Sequence, residues 1–492
     1  MKYAGERGIY KAPLCMQLVI PLEKQRGPLF RRVYLGLREA ILSGTLGAGE
    51  QLPSTRQLAE QLGISRTVVL LAYEHLLAEG FAEGRHGSGT YVSKSVGTAS
   101  SRAPQEQAEL RMSRFGRSAA ATGALAGVSP RRLPPLRYDF AFGRSDIEIF
   151  PFEAWRRILL RQARRASVRD LDYGSTAGAP ALREAISAHL RRARAVVCDP
   201  SQVVVVNGSQ QALDLVTRVL VERGDCVAIE DPQYLGAREV LRAAGSQLHP
   251  VPVDHEGLNP SRLPDKARLL FVTPSHQFPT GVILSLPRRL ALLEWAKRRN
   301  AVIVEDDYDG EFRYQGQPLE SLQGLDRQGR VIYVGTFSRT VFPALRIGYM
   351  IVPQSLTPAF TAAKWLSDRH SAMLEQQALA EFIATGLYER HLRRLRRKSA
   401  ARRQALLQGI HEFLGDRVEV TGDSAGAHVV LWPRGRMSEE AVVARAASKS
   451  VGIYGISRYY LKRPLRTGIM LGYWRLNEQE IREGLFRLGE AL

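Results

Sequence analysis

The sequence has few cysteines and no long apolar run, and each absence excludes a class of protein. The three cysteines, Cys15, Cys198 and Cys226, are odd in number and widely spaced. That pattern excludes a disulfide scaffold and a CxxC metal site, and it predicts a reducing, cytoplasmic environment. No apolar run approaches the ~18–20 residues that a membrane helix needs. Residues 14–22 are apolar but include Gln17 and lead to no small-residue cleavage site, so we predict no signal peptide.

Acidic side chains are also in short supply. The chain has 49 Asp and Glu residues against 69 Lys and Arg residues, which gives a formal net charge of +20. Such an excess predicts a polyanionic partner, although an Arg-rich chain without one is a common alternative. The length of 492 residues and the hydrophobic content of 45% predict two or three folded domains and exclude a chain that is mostly disordered.

Positive charge is densest in residues 94–137, which we predict to be a linker. This segment carries eight basic and two acidic side chains and is rich in Ser, Ala, Gly and Pro. It has no steady hydrophobic period, which is typical of a flexible segment. A short helix fits over residues 105–117. We therefore expect a flexible basic linker between two folded parts of the chain.

The residues before this linker carry the signals of three helices and a hairpin. Apolar residues recur at helical spacing over 29–42, and Ser54 with Gln57 forms a capping box that begins a second helix. Ser65 is placed to cap a third helix, and the glycines of 81–92 predict a β-hairpin. Helix, tight turn, helix and hairpin together predict a winged helix-turn-helix.

This arrangement predicts DNA contacts at three places. The third helix would enter the major groove with its first residues, the wing tip would meet the backbone or minor groove, and the second helix would reach a phosphate. Any one of these arginines alone is more often a solvated charge, but their joint placement favours DNA contact. The predicted contact residues are Ser65, Arg66 and Thr67 in the third helix, Arg85, His86 and Gly87 in the wing, and Arg56 in the second helix.

The stretch GTLGAGEQLPSTRQLAEQLGISRTVVLLAYEHLLAEGFAEGRHGSGTYV, residues 44–92, resembles the DNA-binding domain of GntR-type transcription regulators. The resemblance implies DNA-contacting roles for Arg56, Arg66, Thr67 and Gly87. Family chains of this kind usually begin near Met16. The domain is therefore predicted to span 16–93, with residues 1–15 either an upstream extension or the product of a mis-assigned start at Met1.

Beyond the linker, strand-like apolar runs alternate with helical stretches. This alternation predicts an α/β domain with a mostly parallel, buried sheet, whose chemistry lies at the carboxyl ends of the strands. The predicted strands are 203–206, 227–229, 269–272, 302–304, 331–334 and 347–352.

Three of these strand ends carry unusual residues. A Gly-containing turn at 207–210 opens a helix, which is a ready anion site but a weak signal alone. Several acids follow at 305–309, and they would need a cation or a protonated base, unless the loop is simply solvated or binds a metal. Residues 335–339 follow the predicted strand 331–334, and Arg346 lies seven residues further on.

These motifs in this order resemble the fold-type I pyridoxal-phosphate (PLP) domain of aminotransferases. The matching blocks, over 138–492, are LDYGSTAG, VNGSQQALDL, EDPQYLGA, TPSHQFPTG, VEDDYDGEFRY and YVGTFSRTVFPALRIGY. The closest resemblance is to the MocR-type subgroup, which fuses a GntR-type reader to such a domain. It implies a mainly parallel α/β domain, a smaller C-terminal α+β subdomain from about residue 390, and a homodimer that is often head-to-tail.

The resemblance also implies roles for individual residues around PLP. Asp306 would face the pyridine nitrogen, Tyr308 the ring hydroxyl, and Tyr234 would stack on the ring. Residues 276–278 would line the site near the ring hydroxyl, with Phe278 where many aminotransferases have Asn. The phosphate would be held by Gly208, Ser209, Ser338 and Arg346, and by Tyr173 of the neighbouring subunit.

Arg339 departs from this pattern, because the block GTFSRTVFPALR should carry lysine at its fifth position. That lysine forms the imine with PLP, and a guanidinium has no free lone pair for this bond. The sequence leaves three explanations open: a lysine lost because only sensing is needed, a deliberate replacement, or a domain that no longer uses PLP. Because the other cofactor positions match, we favour retained, weaker, non-covalent PLP binding at a site that includes Arg339.

A second departure lies at Met470, where enzymes acting on α-amino acids commonly have an arginine that grips the carboxylate. Arg466 and Arg475 flank this position and are candidates to replace it.

The sequence therefore predicts a DNA-binding transcription regulator that senses PLP or an amine-type effector and has no metal site. A ligand-dependent shift would pass from the large domain to the reader through 94–137. One alternative is an active PLP-dependent aminotransferase, against which Arg339 argues. Another is a ligand-free DNA-binding dimer, which would show no PLP-dependent change in stability.

Overall fold

The structure, a computed structural model, describes residues 27–98, 110–126, 136–143, 145–314, 320–435, 437–462, 464 and 466–492, with the backbone only at 97–98, 123–126 and 169. The chain divides into two compact units between Arg111 and Met112. Residues 1–15 and Met16, which bear on the predicted start, lie outside the described residues. In the described part, no helix combines the length and the apolar character needed to cross a bilayer.

The first unit is a winged helix-turn-helix, as predicted. Its elements are α1 (Leu29–Leu42), α2 (Thr55–Leu62), α3 (Arg66–Ala78), β1 (Ala82–Arg85) and β2 (Gly89–Val92). The capping box is confirmed, since Ser54 Oγ accepts a hydrogen bond from the Gln57 amide at 3.2 Å. Gly63 ends α2 in the left-handed region with φ +66°, which explains the sharp turn into α3.

The second unit has twelve helices among its described residues. They are α4 (Arg114–Ala126), α5 (Phe152–Arg165), α6 (Pro180–Arg194), α7 (Ser209–Leu220), α8 (Leu235–Ala244), α9 (Leu286–Arg299), α10 (Leu322–Leu325), α11 (Thr357–Asp368), α12 (Met373–Ala384), α13 (Leu387–Phe413), α14 (Glu439–Ser448) and α15 (Glu478–Ala491).

The strands of the second unit follow the same chain order. They are β3 (Tyr138–Asp139), β4 (Val203–Val206), β5 (Cys226–Asp231), β6 (Gln247–Asp254), β7 (Gly257–Leu258), β8 (Leu269–Val272), β9 (Val302–Asp306), β10 (Val331–Thr336), β11 (Gly348–Ile351), β12 (Val418–Thr421), β13 (His428–Pro433), β14 (Val451–Gly452), β15 (Tyr454–Gly455) and β16 (Ile469–Gly472).

The main sheet has the order β4-β11-β10-β9-β8-β5-β6-β7. Its centre is parallel, since β9 pairs in parallel with both β10 and β8, and β11 is antiparallel to both of its neighbours. All six predicted runs are strands of this sheet. β4 is four consecutive valines, all buried, which fits a strand covered on both faces.

A second sheet, β12-β13-β16-β15, belongs to the C-terminal part of the chain. Its residues share a hydrophobic core with α13 and α15, including Leu406 of α13 and Leu485 of α15. This is the smaller α+β layer that the resemblance implied. Its start near residue 390 stays a prediction.

The segment predicted to be a flexible linker includes a regular helix, α4, over Arg114–Ala126. Of the helix suggested over 105–117, residues 105–109 lie outside the described residues, 110–113 are not helical and 114–117 belong to α4. The flexibility of the segment as a whole stays a prediction. α4 packs on α8, and Thr122 Oγ1 lies 3.4 Å from Glu239 Oε2. The Ala-rich stretch supplies strong helix formers, which a composition rule for linkers overlooks.

Candidate functional site

The helical residues predicted to contact DNA lie at the first turns of α3 and α2. Ser65, Arg66 and Thr67 are exposed there, and Arg56 is exposed in the first turn of α2. The Arg66 Nε donates a hydrogen bond to Thr55 Oγ1 at 3.2 Å, which ties the two helices of the motif together. Ser65 is the residue before α3, but its side chain makes no capping hydrogen bond, so that part of the prediction was wrong. The Ser65 hydroxyl therefore makes no hydrogen bond to the amides at the start of α3.

The wing tip carries Arg85, His86 and Gly87, all exposed. Gly87 adopts φ +73°, which a hairpin turn here requires and which favours glycine. The Arg85 guanidinium makes a 3.0 Å ion pair with Glu83 and lies 4.2 Å from the centre of the Tyr91 ring. Arg85 is therefore held in place by the hairpin itself.

The acidic strand end at 305–309 is buried, which excludes the interpretation of a solvated acidic loop. Asp307 makes a 2.7 Å ion pair with the buried Arg194. Asp309 Oδ2 lies 3.0 Å from His276 Nδ1. Glu305 accepts backbone hydrogen bonds at 2.9 Å. Each of these three acids has at least one partner inside the protein, although Asp307 Oδ1 has none among the described residues.

Asp306, the last residue of β9, has an unpartnered oxygen as Asp307 does, but it lacks the ion pair that Asp307 makes with Arg194. Its Oδ1 is buried and has no hydrogen-bond partner among the described residues. Burial, followed by the charges of Asp307 and Asp309, raises the pKa of Asp306 to about 7. A buried carboxyl with a free oxygen calls for a cationic donor. The protonated ring nitrogen of PLP is such a donor, so this residue fits the cofactor.

Tyr308 is fixed by the loop that carries His276. The Tyr308 hydroxyl donates to the His276 carbonyl oxygen at 2.9 Å and lies 3.1 Å from His276 Nδ1. Burial raises the pKa of Tyr308 well above its usual value. The phenol is therefore a neutral, oriented hydrogen-bonding group beside Asp306, as expected for a contact with the ring hydroxyl.

Three of the predicted phosphate residues, Gly208, Ser209 and Arg346, meet at the start of α7. Gly208 has φ +84° at the N-cap, and a Cβ there would lie 2.7 Å from Arg346 Nη2. Ser209 is the first residue of α7. The same Arg346 nitrogen donates to the Asn207 carbonyl at 2.7 Å. Free amides at a helix N-terminus beside a guanidinium form an anion site.

Ser338 belongs to a turn that is braced by its own hydroxyls. Its amide donates to Thr336 Oγ1 at 3.1 Å, and its carbonyl accepts from Ser145 Oγ at 2.8 Å. This bracing fixes the position of Arg339, the next residue.

A cavity of about 800 Å³ adjoins these groups. Three residues predicted around PLP, Tyr234, Phe278 and Arg339, line it, whereas the phosphate residues and Asp306 do not. The sequence predictions missed several lining residues, since no local motif marks them: Phe115, Ala119 and Thr122 of α4, Phe142, Gln210, Asp214, Glu239 and Tyr459.

Arg339 lies at the edge of this cavity with an unsatisfied guanidinium. Its central carbon is 4.4 Å from the centre of the Phe142 ring and 6.0 Å from that of Tyr308. Its Nη1 is buried without a hydrogen-bond partner among the described residues. Burial lowers the pKa of Arg339, against the opposing charge of Asp309. An acceptor on a ligand would satisfy this donor.

Tyr173 does not line the cavity of its own chain. Its side chain is 73% exposed, with the Arg369 guanidinium 5.0 Å from its ring centre and the His370 ring at 5.9 Å. This exposure leaves it available to a second subunit, so its predicted role stays a prediction.

Neither candidate carboxylate arginine lines this cavity. Arg466 pairs with Glu419 at 2.6 Å and lies over Trp432. Arg475 is exposed and lines a separate cavity. Met470 is buried in an apolar cluster with Phe278, a residue that does line the cavity. The usual carboxylate position is therefore apolar, and the suggested replacements were wrong for this cavity.

Two family matches cover most of the chain. Residues 140–469 match the aminotransferase class I and II family. Residues 29–92 match the bacterial regulatory proteins of the gntR family.

Individual proteins match over nearly the whole length. The chain is 40% identical over 473 residues to the probable rhizopine catabolism regulatory protein MocR of Rhizobium meliloti, with 94% of each protein covered. It is 30% identical over 458 residues to the HTH-type pyridoxine biosynthesis transcriptional regulator PdxR of Corynebacterium glutamicum, covering 93% of this chain and 94% of that protein. The crystal structure of a kynurenine aminotransferase from Pyrococcus horikoshii superposes with a TM-score of 0.68 at 30% identity, covering 78% of this chain and 95% of that one.

Proposed function

The chain belongs to the MocR-type transcription regulators of the GntR family, and from that membership we propose that it is a cytoplasmic regulator that senses PLP without catalysis. In this proposal the winged helix binds an operator in double-stranded DNA, and the aminotransferase-like domain binds PLP non-covalently and forms a homodimer. An amine-type effector is the alternative ligand of this domain.

One observation carries the proposal: Arg339 stands where the imine-forming lysine would be, in a site whose other groups suit PLP. When bound, PLP supplies an electron sink for reactions at amine carbons. Here Asp306 offers a free oxygen to the ring nitrogen and Tyr308 a fixed hydroxyl to the ring hydroxyl. Arg339 holds its proton and has no lone pair, so it can neither form the covalent bond nor shuttle a proton. These observations support the binding of PLP and do not support catalytic turnover of a substrate.

The position of α4 supports a route from ligand to reader. Phe115, Ala119 and Thr122 of this helix line the cavity, and the chain runs from α4 back to the winged helix through residues 99–113. A ligand in the cavity would contact α4 directly. Occupancy could then bias the arrangement of the segment that precedes it.

The test is an absorbance titration with PLP, followed by dialysis, on the protein and on its Arg339→Lys variant. We expect reversible binding in the parent and an imine band that survives dialysis in the variant. If neither protein binds PLP, the cofactor proposal is wrong, and a ligand-free DNA-binding dimer is favoured. Measurable amine transfer by the parent would instead favour an active aminotransferase.

A further inference from the structure

The cavity that Arg339 lines has one positively charged side chain among its described residues. Among its described lining residues, Arg339 is the only lysine or arginine. It makes no ion pair with a described residue, and its Nη1 is buried without a partner. An unpaired buried guanidinium costs free energy until an acceptor reaches it. The ligand that completes this cavity must therefore present an acceptor at Arg339.

No other described residue that lines the cavity supplies a positive charge for a ligand's acceptor. Phe142 and Phe278 supply apolar surface, and Met470 packs behind Phe278 where a carboxylate-binding arginine would otherwise lie. No second cation among the described lining residues competes for a ligand's acceptor. The charge of Arg339 therefore selects which chemical group of a ligand lies beside it.

The two acids of the cavity are already paired, so neither is free to receive an amine. Glu239 Oε1 lies 2.7 Å from Arg238 Nε and 3.4 Å from Arg242 Nη1. Asp214 Oδ2 lies 2.9 Å from Arg218 Nε. An ammonium group in this cavity would face Arg339 without an unpaired carboxylate among the described lining residues. Like charges at such short range repel strongly where water is excluded.

We propose that Arg339 makes this site selective for the aldehyde form of the cofactor over its amine form, so that the protein senses PLP and rejects pyridoxamine 5′-phosphate. The inference rests on the proposed function. The two compounds differ only at the carbon that an imine-forming lysine would bond. The aldehyde oxygen accepts hydrogen bonds, whereas the aminomethyl group carries a positive charge and only donates at neutral pH. A guanidinium has five donors and no acceptor, so it matches the first group and repels the second.

The test uses three ligands that share the ring and the phosphate: PLP, 4-deoxypyridoxine 5′-phosphate and pyridoxamine 5′-phosphate. The deoxy compound has a methyl group at the critical carbon and forms no imine with surface lysines. Dissociation constants are measured by isothermal titration calorimetry on the full chain. We expect affinity to fall in the order aldehyde, methyl, amine, with PLP at least about tenfold tighter than the amine form, because a hydrogen bond to a charged group is at stake.

Two variants assign the selectivity to Arg339. Arg339→Gln keeps a polar side chain but removes the charge, and it should bring the three affinities to within about threefold of one another. Arg346→Gln should weaken all three ligands in similar proportion, because they share the phosphate, and leave their order unchanged. Circular dichroism verifies that both variants fold.

Each result has a definite meaning. If the parent binds pyridoxamine 5′-phosphate as tightly as PLP, or if Arg339→Gln keeps the original order, the selectivity proposal is wrong while the sensing function stands. If the parent binds none of the three ligands, the proposed function fails together with this inference.

Discussion

The guanidinium carbon of Arg339 lies 4.4 Å from the centre of the Phe142 ring. Such a contact between a cation and an aromatic face contributes about 0.5–2 kcal/mol, and the contribution grows as water is excluded. Together with the braced turn at Ser338, it fixes the guanidinium while Nη1 stays without a partner. Arg339 is therefore an oriented hydrogen-bond donor at the edge of the cavity.

Base readout should depend on Arg66 more than on other arginines of the winged helix. We expect Arg66→Ala to weaken operator binding by about 1–3 kcal/mol and to relax sequence preference, because its guanidinium lies at the first turn of α3. Arg56→Ala should weaken binding to all sequences alike and lower the salt dependence by about one phosphate contact. Fluorescence anisotropy at several salt concentrations measures both. Arg31→Ala, in the exposed part of α1, is the control, and an equal loss there would contradict the assignment.

The raised pKa of Asp306 predicts a pH dependence of stability. The folded protein keeps this proton up to about pH 7, against an ordinary value of 3.8. The unfolded chain binds fewer protons over that interval, so the contribution of Asp306 to stability falls as the pH rises from about 4 to about 7 and is constant above.

Asp306→Asn removes this titration. Relative to the parent, the variant should gain about 1–3 kcal/mol of unfolding free energy across that interval. Urea denaturation without PLP, at a series of pH values, measures the difference. A difference that does not change with pH would show that Asp306 titrates normally.

Removing one partner of the buried pair of Arg194 and Asp307 should destabilise the second unit strongly. Arg194 Nε lies 2.7 Å from Asp307 Oδ2, and the Tyr333 hydroxyl donates to the same oxygen at 2.6 Å. Arg194→Met strands a buried carboxylate, which should cost about 3–5 kcal/mol in urea denaturation. Arg218→Met breaks a more exposed pair with Asp214 and should cost less than about 1 kcal/mol. Equal losses would contradict the special role of the buried pair.

The binding of PLP should stabilise the backbone hydrogen bonds of α4. Because Phe115 and Thr122 line the cavity, we expect PLP to slow amide hydrogen exchange over Arg114–Ala126, measured by mass spectrometry. The helix α9, whose residues do not line this cavity, supplies the internal reference. Unchanged exchange in α4 at saturating PLP would separate this helix from the sensing route.

Much of the fold was predictable, because its signals act over a few residues. The capping box of Ser54 and Gln57 and the valine run of β4 depend on turn chemistry and on periodicity, which neighbouring residues determine. The bounds of α4 were predicted only in part, because small residues occur both in linkers and in helices, and its packing on α8 is a contact between distant segments.

The sequence by itself determined the two-part architecture and the presence of Arg339 in the turn after β10, since a motif fixes which residue stands at a given turn. Only the tertiary structure decided what surrounds that arginine. Phe142 is distant in sequence, and Arg466, near Met470 in sequence, pairs with Glu419 away from the cavity. The physical reason is that contacts between remote segments depend on how the whole sheet and its covering helices pack, and no local pattern records that packing.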